Sequence, residues 1–174
     1  MDTKYLLRLG GAMVACAVIG WFPFVAGTRV PLLGLFDFGI HELGHLLFIW
    51  AGRTVHFLSG SVLQVAVPIG LTLAFLRWGN LPAAAVTTAW TGANLWDVSV
   101  YVADAPYERL VLWGGGQHDW ATLLGGWDAI HLADEIAAVL SGLGGVLVVG
   151  AMALCALPAF APGLRSAPAG ADGA

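Results

Sequence analysis

Five apolar runs follow one another along the chain, each bounded by Pro, Gly or charged residues. They cover residues 5–25, 32–51, 56–76, 82–103 and 130–157. Each has the length of about 20 residues that a helix needs to cross a bilayer. Pro31 and Pro82 stand at the starts of the second and fourth runs, where a proline loses no N–H that the helix requires. The single sizeable polar stretch, residues 104–128, separates the fourth run from the fifth. The tail from residue 158 is rich in Ala, Pro and Gly and is expected to be disordered. The pattern therefore predicts an all-α integral membrane protein with about five transmembrane helices. Residues 1–157 form one polytopic membrane domain, and residues 158–174 a disordered tail. Lys4 and Arg8 precede the first run as they would in a signal peptide. That run extends to about Ala26 without a small-x-small cleavage site before Pro31, so it is expected to be a retained span.

Composition agrees with this reading. Hydrophobic residues make up 59 % of the chain and charged residues 10 %, with a mean hydropathy of +0.82, far from a soluble globular domain. The net charge is −4, and the seven basic residues are scattered, which excludes a phosphate-tracking surface and so a nucleic-acid partner. Placing the N-terminus in the cytoplasm puts Lys4, Arg8, Arg53 and Arg109 inside, a slight positive-inside bias. The expected location is a cytoplasmic membrane of the bacterial type. Trp50, Trp78, Trp113, Trp120 and Trp127 fall near predicted span ends, as in an interfacial aromatic belt. Cys16 and Cys155 both lie in apolar runs and are read as buried free thiols.

The second run carries His41-Glu42-Leu43-Gly44-His45, an HExxH pattern. On a helix, it sets two imidazoles on one face within reach of a single Zn²⁺, with Glu42 beside them as a general base on water. Chance gives about 0.002 such matches in a chain of this composition. Ionisable groups inside a span cost about 2.5–3.5 kcal/mol each and face a partner or a wet cavity. Asp37 lies four residues before His41, where it can orient that ring or sit as an interfacial carboxylate near the helix start. Asn94, Asp97, Tyr101 and Asp104 share one face of the fourth run. Asp97 is a candidate third zinc ligand. His118 and Asp119, just after the glycines of residues 114–116 and Gln117, compete with it, because glycine backbones let a loop fold back closely. One of Asp97, His118 and Asp119 is expected to complete the set with His41 and His45. Asp128 is read as the N-cap of the fifth helix, with His131, Asp134 and Glu135 on its first turns. Residues 59–64, Ser-Gly-Ser-Val-Leu-Gln, interrupt the third run. They can break a helix or let two helices pack closely. His56, near a span end, is read as interfacial.

A second span with HExGH, a third with a Gly/Ser-rich interruption and a fourth with Asn and Asp together resemble the site-2 protease family of intramembrane zinc metalloproteases, its small members without a PDZ domain above all. The likeness covers about residues 37–104, within a core of about residues 32–135. It implies a zinc metallopeptidase cutting membrane-associated proteins or peptides. His41, His45 and Asp97 would be its ligands and Glu42 its base, with Asn94 positioning the substrate or the oxyanion. The chain departs from the family's Leu-Asp-Gly, reading Leu95-Trp96-Asp97-Val98. Expected partners are the substrate, the lipid bilayer and, in an oligomer, further copies of the chain.

Other classes fit less well. A non-catalytic metal-binding membrane protein, binding other membrane proteins without cutting them, has no need of Glu42, and a purely structural site usually has four protein ligands. Two histidines on one helical face cannot ligate opposite sides of a haem iron. A transporter would be expected to show an internal repeat.

Overall fold

The computed structural model describes residues 2–111 and 116–160. Among these residues every regular element is helical. Helix α1 (Thr3–Trp21) starts on Asp2, whose side chain accepts the Lys4 N–H, and continues into a π-helical turn, Phe22–Ala26. Helix α2 (Leu33–Leu47) begins two residues after Pro31, and α3 (Arg53–Arg77) begins after a turn that Gly52 makes at a φ of 85°. Helix α4 (Leu81–Asp104) is capped by the Asn80 side chain, which accepts the Ala83 N–H, with Pro82 in its first turn. The short α5 (Asp119–Gly126) and a 3₁₀ turn (Ile130–Leu132) lead into α6 (Ala133–Phe160).

Three stretches are long and apolar enough to cross a membrane by length and composition: Thr3–Ala26, Arg53–Arg77 and Ile130–Leu157. The second apolar run is only partly helical. Its helix, α2, has 15 residues, about 22 Å at 1.5 Å per residue, because the chain turns away at residues 48–51. Asp128 does not cap α6. It sits in the turn after α5 at a φ of 54°, and the 3₁₀ turn intervenes. His131, Asp134 and Glu135 are exposed at the start of α6. That helix runs three residues beyond the predicted end, through Phe160. The rest of the expected tail, residues 161–174, lies outside the described residues, as do Trp113 and the first two of the three glycines.

Helix α4 is central. It packs most broadly on α6 and also on α1 and α3, while α2 lies against α3. The seam of α1, α4 and α6 is built from small side chains: Ala12, Cys16, Ala85, Ala89, Ala151 and Cys155. Small residues let helix backbones approach, and in lipid that close packing replaces the hydrophobic drive available in water. Both cysteines are free and buried, as expected. Helices α4 and α6 approach closely at Gly92 and Gly144, where a Cβ on either would stand 2.5 Å from the other's carbonyl oxygen.

Helix α3 is not broken at residues 59–64. It runs on through an internal Pro68. The small residues serve close packing instead. A Cβ on Gly44 of α2 would lie 2.4 Å from the Ser59 carbonyl oxygen, and Ser59 Oγ reaches the Gly44 carbonyl at 3.0 Å. Opposite effects are expected from two glycines of α6. Gly144→Ala should destabilise by about 1–3 kcal/mol through overpacking. Gly150→Ala, with open space around it, should be neutral or stabilising by up to about 1 kcal/mol. Thermal melts in detergent would check the pair, and equal melting temperatures would refute this seam.

Candidate metal centre

Helices α2 and α3 run antiparallel with two matched stripes. Asp37, His41 and His45 recur every four residues on α2, and His56, Gly60 and Gln64 do the same on α3. Facing across the contact, His45 meets His56, Gly44 meets Ser59 and Gly60, and His41 meets Gln64. His45 Nδ1 lies 2.8 Å from the His56 carbonyl oxygen, and His41 Nδ1 lies 3.1 Å from Gln64 Oε1. Both acceptors are carbonyl oxygens, so both Nδ1 atoms carry the proton and donate it. In neutral imidazoles the lone pairs are then on Nε2.

Those two lone pairs converge on a third acceptor. Asp119 Oδ2 lies 3.0 Å from His41 Nε2 and 3.1 Å from His45 Nε2. Two nitrogen lone pairs and a carboxylate oxygen within 4.8 Å of one another repel unless positive charge lies between them. His41, His45 and Asp119 therefore form a group that could hold a metal ion. The surroundings fit one. A Cβ on Gly60 would stand 2.6 Å from both Nε2 atoms, so glycine keeps open the space that any side chain would fill.

Asp119 comes from the N-terminus of α5, which is tied down on three sides. His118 is its N-cap, with Nδ1 accepting the Ala121 N–H at 3.2 Å. The Asp119 N–H donates to Tyr101 Oη at 3.1 Å, and Trp120 Nε1 donates to Ser61 Oγ at 3.1 Å. A cavity of about 620 Å³ opens in front of the three donors. Its walls include Glu42, His56, Phe57, Trp96, Tyr101 and Arg29. Glu42 is exposed to it from the same turn of α2 as the two histidines. The three donors thus face the cavity together.

Of the three candidates for third donor, Asp119 joins the histidines and the other two do not. Asp97 Oδ1 pairs with Arg29 Nε at 2.5 Å, and its Oδ2 accepts from Gln64 Nε2 at 2.9 Å. His118 turns inward, its ring 4.2 Å from that of Tyr101 and its Nε2 3.3 Å from Asp104 Oδ2. Burial lowers its pKa more than the nearby carboxylates raise it, as suits a neutral cap.

Asn94 is not on the cavity wall. It is fully buried and bonds to Gln64 from both ends of its amide, so a direct role toward substrate or oxyanion is not available to it. Nor does Asp37 orient His41. It accepts from Trp90 Nε1 at 2.7 Å. The orienting groups that sequence reading left unassigned are Gln64 and the His56 carbonyl. The four-residue repeat His56-Gly60-Gln64, matching that of α2, is the signal that points to them.

Comparison with family models, with curated proteins and with solved structures returns no match. The geometry alone defines the class: among the described residues, only helices, three of them of membrane length and apolarity, and a His-His-Asp group that could hold a metal ion.

Metal content of detergent-purified protein, saturated with Zn²⁺ and washed, should be one equivalent in the wild type, in Asp97→Ala and in His118→Asn. It should fall to near zero in Asp119→Ala and Gly60→Ala. Retention in Asp119→Ala with loss in Asp97→Ala would assign the third donor to α4 instead.

Proposed function

We propose that this protein is a membrane-embedded zinc peptidase. The observation that carries the proposal is the convergence of His41 Nε2, His45 Nε2 and Asp119 Oδ2 at the end of a cavity that Glu42 also lines. Two imidazoles and one carboxylate suit Zn²⁺, which is bound by N and O donors at about 2.0–2.2 Å. Zinc held there would supply Lewis acidity toward a water and a substrate carbonyl.

The chain's own residues do the remaining work. Glu42 accepts the proton of the attacking water and returns it to the leaving amine. The Gln64 amide and the His56 carbonyl hold the two rings in place. Phe57, Trp96 and the other apolar lining favour an unwound, apolar peptide segment over a charged one. In this reading α2 and α4 join the three long apolar helices in a five-helix membrane domain with a core like that of the site-2 proteases. The substrates are membrane-associated proteins or peptides, cut within or beside a bilayer of the bacterial cytoplasmic type. The extensive exposed apolar surface, including Leu35, Leu46, Leu143 and Val146, supports contact with lipid.

Glu42→Gln keeps the size and polarity of the side chain but removes the base. With a library of fluorescence-quenched apolar peptides in micelles, wild-type protein should cleave. Glu42→Gln should lose at least about 10²-fold in rate while retaining its zinc. Cleavage at the wild-type rate by Glu42→Gln would overturn the proposal. A wild type that binds zinc and cuts nothing would leave the non-catalytic metal-binding protein as the better reading.

A further inference from the structure

Helix α3 contains Pro68. Proline has no N–H, so the carbonyl four residues earlier loses its helical partner. That carbonyl belongs to Gln64, and Asn94 of α4 replaces the missing donor, with Nδ2 2.9 Å from the Gln64 main-chain oxygen. A carbonyl can only accept, so the Asn94 amide has one orientation, and its Oδ1 must face the other way. There it lies 3.3 Å from Gln64 Nε2. The second neighbour of that nitrogen is Asp97 Oδ2 at 2.9 Å, part of a carboxylate whose other oxygen is paired with Arg29.

Two acceptors therefore face one end of the Gln64 amide. Flipping it would put Oε1 against both of them, while Gln64 is only 3 % exposed to solvent that could relieve the clash. The amide oxygen must point at His41, and His41 must donate from Nδ1. An imidazole bonded that way has its lone pair at Nε2, the nitrogen that faces Asp119.

We propose that Gln64 is a positioning residue that locks His41 in the tautomer able to bind metal, and that Asn94 and the Arg29-paired Asp97 lock Gln64. This rests on the metal-site reading of His41, His45 and Asp119. It gives the buried polar residues of α3 and α4 a joint task that neither ligation nor substrate contact assigns them. Arg29, on the loop between α1 and α2, sits at the outer end of the chain of contacts and is 54 % exposed in its side chain. The cavity mouth is thereby connected to a metal-binding ring through three side chains.

The test is a Zn²⁺ titration of the full-length protein in detergent against a chromophoric chelator. Gln64→Met keeps the shape but offers His41 no comparable acceptor, and Zn²⁺ affinity should fall about 10–100-fold. Gln64→Glu alone sets two carboxylates together and should also bind weakly. The exchange Gln64→Glu with Asp97→Asn replaces the facing carboxylate with an amide donor, so the new carboxylate still accepts from His41, and affinity should rise well above that of Gln64→Met and of Gln64→Glu alone. A residue with a purely packing role predicts no such rescue. A second readout is the histidine ¹⁵N NMR spectrum of metal-free protein above the imidazole pKa. It should show His41 protonated at Nδ1 in the wild type and at Nε2 in Gln64→Met. Wild-type affinity in Gln64→Met, or an exchange variant no tighter than Gln64→Met, would overturn this inference alone. A wild type that binds no Zn²⁺ would overturn the metal centre with it.

Discussion

A neutral imidazole offers a lone pair at one nitrogen only when the other holds the proton, and the centre of this molecule is organised around that constraint. His41 and His45 lie one helical turn apart on α2, and each meets a carbonyl oxygen of α3 at Nδ1. The acceptors are in reach because the two backbones touch at Gly44 and Gly60. Any Cβ there would hold the helices apart or fill the space between the Nε2 atoms. Close packing, usually discussed as a source of stability in membrane proteins, here also determines which ring atoms are free for chemistry.

Much of the polar interior follows from that arrangement. Asp97, Asn94 and Gln64 would each be costly if left alone in an apolar environment. Together with Arg29 they satisfy one another in a single connected network, and its inner end is a histidine rather than solvent. Asp119 is handled differently. It arrives on a short helix whose start is fixed by the His118 cap, Tyr101 and the Trp120–Ser61 bond. Two donors thus come from one rigid helix and the third from a separately anchored element. The cavity lies between them.

The helical class and the membrane-length apolar segments were legible in hydropathy alone, because lipid requires every backbone group to be paired within the segment. His41, Glu42 and His45 were legible from spacing, since i,i+4 places both rings on one face. The shortness of α2 was not. An apolar run of 20 residues does not reveal that its last part turns back, and the backbone angle at Gly52 that redirects the chain has no hydropathy signature. The choice among Asp97, His118 and Asp119 was equally hidden, because it depends on how a polar segment folds over two helices. Sequence order placed His118 and Asp119 side by side, yet one caps the helix from behind and the other faces the histidines. Asn94 and Asp97 had the residue types of a site but are engaged by an amide on α3, and Asp97 also by Arg29. The feature that could have revealed this amide was the repeat at residues 56, 60 and 64, whose middle member is a glycine and therefore easily overlooked.

The claim on which everything else rests is the His-His-Asp centre, and its most direct test is zinc K-edge X-ray absorption on the purified, zinc-loaded protein. A shell of nitrogen and oxygen scatterers near 2.0–2.2 Å is expected. The outer-shell pattern should be that of two imidazoles, and no sulfur should be present. Sulfur at about 2.3 Å, from Cys16 or Cys155, or the signature of a single imidazole, would contradict it.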